Sequence, residues 1–151
     1  MDKVKLSTAN IVILASGVVI LIASFLPFNK LSYAGFSKSY SAWSSHLFLI
    51  ATIPALLGVV MAVQVGIAGF ASGVKLPDRV LGFTWTQIHL VLGFQTAIMM
   101  IAFLITSPIY TDRGFGMYLM LLAAIGLLVG AILRLQEKPA GAAPPPVPPA
   151  T

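Results

Sequence analysis

Four stretches of this chain, 6–29, 39–74, 80–111 and 114–133, contain no Asp, Glu, Lys or Arg. A helix that crosses a bilayer needs about 20 mostly apolar residues, so each stretch supplies one and none is long enough for two. Only 9% of the residues are charged and 58% are hydrophobic. A soluble domain is about 25% charged, so a water-facing surface cannot be assembled from this inventory. The expected fold is an all-α membrane protein, an antiparallel bundle of four transmembrane helices within residues 1–136. Its spans are expected near 9–28, 46–71, 85–106 and 115–134. The first is read as a retained span and not as a cleaved secretory signal, because its apolar run outlasts the usual 7–15 residues.

Four spans place both termini on one side of the membrane. Lys3, Lys5, Lys75, Arg79, Arg134 and Lys138 fall on that side, and Lys30, Lys38 and Arg113 on the other. Basic residues near helix ends resist translocation. The expected topology therefore has the N- and C-termini cytoplasmic. The net charge of +5 is explained by this scatter. It does not form the clustered basic face that nucleic acid requires.

The third span, from Trp85 to Ile105, carries the most groups that avoid lipid: Thr86, Gln87, His89, Gln95 and Thr96. Helical spacing puts Thr86, His89, Gly93, Thr96 and Met100 on one face and Gln95 nearly opposite. Polar groups on two sides need partners on two sides, which predicts a buried helix around which the others pack. Gln64 in the second span needs a hydrogen-bonding partner for the same reason.

Small residues form the expected packing faces. Asn10, Gly17 and Ser24 recur every seven positions, a spacing that keeps one stripe against a neighbour. Ala51, Ala55, Gly58, Ala62 and Gly69 do the same on the second span, and Gly126 and Gly130 make a GxxxG pair on the fourth. Pro54 is expected to bend the second span, since it frees a carbonyl one turn earlier.

The connection 29–45 interleaves Leu31, Tyr33, Phe36, Tyr40 and Trp43 with serines. It reads as an interfacial loop or short hairpin over the bundle, its aromatics in the headgroup layer; a recognition surface for a partner or an envelope lipid is the sharper alternative. Residues 77–84 are expected to begin a short interfacial helix at Pro77. The tail 137–151 holds six of the ten prolines and reads as a disordered, Pro/Ala-rich cytoplasmic segment.

Catalytic chemistry is not expected. His89 is the only candidate ionisable group well inside a span; His46 belongs to the opposite surface, and the carboxylates Asp2, Asp78, Asp112 and Glu137 lie in loops and tails. No catalytic set, cofactor site or metal site assembles from these, so His89 reads as a structural histidine. Ser-Phe-Leu-Pro-Phe at 24–28, Ser-Ala-Trp-Ser at 41–44 and the Pro/Ala-rich tail resemble uncharacterised small four-helix integral membrane proteins of actinobacteria and other high-GC bacteria. That resemblance implies a plasma-membrane location and no transferable activity. Two functions follow. The first is a non-enzymatic accessory or scaffold protein, a homo-oligomer or a partner of other membrane proteins through its small-residue faces. The second is a minimal carrier or channel with a polar path along the third helix.

Overall fold

The computed structural model describes residues 6–71, 73–74, 76–106 and 111–137. Four long apolar helices pack together: α1 (Thr8–Phe25), α2 (Ile53–Phe70), α3 (Trp85–Thr106) and α4 (Phe115–Gln136). Each is long and apolar enough to cross a membrane, and α2 does so together with the helical turns that precede it from Ser45. The expected tail lies outside the described residues, apart from Glu137.

Local chemistry sets the helix ends. Ser7 caps α1, its Oγ accepting from the Asn10 amide at 3.3 Å. The helix stops at Phe25, three residues short of expectation. Pro27 excludes the helical conformation from the residue before it, and Leu26 is extended at ψ 164°. Pro54 lies within a helical run that extends from Ser45 to Phe70, at the junction of its π-helical and α-helical parts. A single π-helical turn, Phe48–Thr52, precedes it.

The closest seam is between α1 and α4, followed by α3 with α4, α1 with α2, and α2 with α3. Helix α3 is therefore one wall of a four-sided bundle and not the axis expected for it. The small residues explain the close seam. A Cβ on Gly130 would stand 2.7 Å from Ile13, one on Gly126 would strike the Ser16 hydroxyl, and one on Gly93 would lie 3.1 Å from the Leu128 backbone. A Cβ on Gly17 would strike Ala62, and one on Gly58 would stand 2.6 Å from Ile20. Ala55 is fully buried. The faces assigned to partner association are thus filled within the bundle, because the helices can approach closely only where side chains are smallest. Between them Ile13, Ile20, Met61, Met100, Met120 and Leu127 close the core.

One end of the bundle is roofed by a small sheet. Strands β1 (Asn29–Tyr33) and β2 (Phe36–Tyr40) form a hairpin, and β5 (Thr111–Arg113) pairs with β1 on its other edge. Ala34 and Gly35 both have positive φ, 48° and 83°, the turn whose twist matches paired strands. The expected helix at Pro77 is absent among the described residues. Strands β3 (Arg79–Val80) and β4 (Phe83–Thr84) pair instead, around Leu81 and Gly82 at φ 52° and 84°. Two consecutive left-handed residues make a tight hairpin and cannot continue a helix.

Candidate functional site

The polar groups of the bundle gather at its two ends. At the end away from the sheet, α2, α3 and α4 bring Gln64, His89 and Arg134 together. One guanidinium nitrogen of Arg134 lies 2.9 Å from His89 Nδ1 and 3.5 Å from Gln64 Oε1. His89 is 1% exposed and Gln64 is buried. The Trp85 ring stands edge-on to the imidazole at 6.5 Å, and its indole N–H donates to the Pro77 carbonyl at 2.8 Å. This ties the following hairpin over the cluster.

The donor pattern fixes what this cluster can do. A guanidinium only donates, so His89 Nδ1 accepts and the ring proton sits on Nε2. Nε2 is buried without a hydrogen-bond partner among the described residues. Arg134, in contrast, binds three helices at one point. Among the described residues no group of three His, Cys, Asp or Glu side chains comes together.

The remaining polar positions of α3 separate. Thr96 is fully buried, but its hydroxyl donates to the Leu92 carbonyl one turn back at 2.7 Å, so it lines nothing wet. Thr86 is half-buried. Gln95, expected to be buried, is exposed on the outer face of the bundle. The reason is geometric: the inward face of α3 is taken by His89, Gly93, Thr96, Met100 and Phe103, and residue 95 falls outside that arc.

At the sheet end the backbone does most of the joining. The Phe28 amide donates to Tyr40, the Gly114 amide to Phe28 and the Gly116 amide to Pro27, at 2.8, 2.9 and 3.0 Å. Ser24 is buried and serves as an anchor as well as a packing residue. Its Oγ donates to Leu21 and accepts from the Trp43 indole at 2.9 Å, and Trp43 stacks on Phe25. Thr52 donates to the Ala42 carbonyl at 2.6 Å. Beneath the sheet, Asn29, Leu31, Tyr40, His46, Ile50 and Phe103 line a cavity of about 420 Å3.

Sequence reasoning missed Arg134 and Asn29. Arg134 was counted only as a topology charge, yet it is the one charged residue inside the four helices and lies one turn beyond buried Gly130. That spacing aims it inward. Asn29 carried no such signal, because only strand pairing turns it toward the bundle. No family model matches this chain, and neither a curated protein nor a solved structure is detectably similar to it.

Proposed function

We propose that this chain is a multi-pass plasma-membrane protein with antiparallel spans and cytoplasmic termini. The resemblance to small four-helix proteins of high-GC bacteria implies the location; the role we infer is that of a non-enzymatic accessory or scaffold component of a larger membrane assembly. The contacts that support the antiparallel arrangement run in opposite numerical order: Ala9 and Ile13 meet Gly130, Ser16 meets Gly126, and Ala23 meets Gly116.

The observation that carries the assembly reading is Gln95. It lies ten residues from the start of α3 and eleven from its end, about 15 Å from either surface at 1.5 Å per residue. Its side chain is too short to reach water. An amide in hydrocarbon without a partner is costly, and its outer-face neighbours Val91 and Ile98 are exposed and apolar. Another helix covering this strip would supply the missing hydrogen bonds. A second copy of the chain suffices, since a glutamine both donates and accepts and so pairs with itself across a two-fold axis.

A carrier path along α3 is not favoured. The hydroxyl of Thr96 is spent within its own helix, and Met100 and Phe103 close the stripe beyond it. The test is Gln95→Leu in gently extracted protein. Wild type should run as an assembly, and the variant should fall to a smaller species with its bundle stability intact. Identical assemblies for the two proteins would overturn the reading. A Gln95→Cys substitution, in a chain that has no other cysteine, should cross-link to itself if the partner is a second copy.

A further inference from the structure

The hairpin β1–β2 is two-faced. Its register places Asn29 opposite Tyr40, Leu31 opposite Lys38 and Tyr33 opposite Phe36. Residues paired across a strand project to the same side, so these six form one face. The other face carries Lys30 with Ser39, Ser32 with Ser37, and Asp112 from the neighbouring strand. One side is largely apolar and aromatic but carries two cations, Lys38 and, opposite Asn29, Arg113 of β5; the other is hydroxyls and charges.

The apolar side is seated on the bundle only at its base. Asn29 is 8% exposed, whereas Tyr33 and Phe36 are 77% and 83% exposed. Two cavities run beneath it, the one of about 420 Å3 at the bundle and another of about 390 Å3 toward the tip. They share Leu31 and Tyr40, so they adjoin along the hairpin and form the two halves of one grooved face. In the inner cavity Asn29 Oδ1 is buried without a hydrogen-bond partner among the described residues. Lys38 lines the outer cavity and holds its ammonium 5.2 Å over the Tyr40 ring. Among the described residues no carboxylate pairs with it.

We propose that this groove seats one anionic glycerophospholipid of the leaflet at the sheet end. Lys38 faces its phosphate in the outer cavity, and an acyl chain lies along Leu31, Ile50 and Phe103 in the inner one. The proposal rests on the membrane reading above. The helical segment that carries Ile50 starts at Ser45, and Phe103 is in the last turn of α3. The groove therefore opens where the hydrocarbon meets the headgroup layer, the depth at which Tyr rings are stabilised. Fixed polar groups with an apolar trough beneath them match a lipid's own division between head and chain, and a cavity of this size lies within the range of ligand sites.

The full chain is reconstituted with phosphatidylglycerol or phosphatidylcholine, and retained lipid is read by native mass spectrometry. Phosphatidylglycerol should be retained about tenfold over phosphatidylcholine and should not be displaced by millimolar inorganic phosphate. Lys38→Gln, an exposed change that leaves folding intact, should cut that preference about fivefold. Lys30→Gln, of equal charge on the polar face, should leave it unchanged. Equal retention of the two lipids, equal effects of the two lysine variants, or displacement by phosphate would each overturn the lipid site. A chain that never inserts into vesicles fails the membrane reading instead, so the two failures are separable.

Discussion

The two ends of the bundle solve one problem by different chemistry. Each must join helix termini whose last polar groups have no partner in their own helix. At the sheet end the joining is done by main chain: Pro27 and Phe28 accept from Gly116 and Gly114, and Phe28 donates to Tyr40. At the other end it is done by one side chain, Arg134, which reaches His89 and Gln64. A backbone joint tolerates almost any side chain but demands close approach. A side-chain joint tolerates looser approach but fails when one residue changes. The contrast predicts which substitutions each end accepts.

The largest effect should come from closing the approach at the sheet end. A Cβ on Gly114 would fall on the Pro27 carbonyl, and neither backbone can give way without parting β5 from β1. Gly114→Ala should destabilise the protein by about 3 kcal/mol, measured by reversible unfolding in mixed micelles. Retained stability would mean that the sheet end is looser than its hydrogen bonds imply. At the opposite end, Arg134→Leu leaves His89 Nδ1 and Gln64 Oε1 buried with no donor, a loss of about 2 kcal/mol. Arg134→Lys should recover only part of it, since an ammonium is more strongly hydrated than a guanidinium and costs more to bury beside His89.

A pair of threonines sharpens the comparison at smaller scale. Both are buried and both donate to a carbonyl, yet Thr52 bridges to Ala42 across ten residues while Thr96 bonds back to Leu92. Thr52→Val should cost about 1.5 kcal/mol because it orphans a loop carbonyl. Thr96→Val should cost about 0.5 kcal/mol, since Leu92 keeps its helical partner. Equal losses would show that the link between loop and bundle is no stronger than a bond within one helix.

Much of the bundle was legible in the residues, and the reason is solvent. Lipid forces every backbone group in a span to pair locally, so four charge-free runs already imply four helices. The small residues at 17, 58, 62, 126 and 130 mark the seams because close approach depends on size alone. What was not legible depends on which way a short segment turns. A short hairpin is among the readings of 29–45 and forms at 29–40. The hairpin at 79–84 instead replaces an expected helix and hinges on left-handed Leu81, a position where sequence carries little signal. The polar residues of α3 announced that partners were needed without saying on which side. Gln95 has none among the described residues, and Asn29 was turned inward by a strand register set by β2 and β5.

The central claim is that the four helices cross the membrane with the sheet outside and both termini inside. Because the chain has no cysteine, single substitutions at Ser37 and at Glu137 report the two ends separately. A membrane-impermeant maleimide applied to intact cells should label Ser37→Cys, and should label Glu137→Cys only after the membrane is opened. Labelling of Glu137→Cys in intact cells, or protection of Ser37→Cys, would contradict the account.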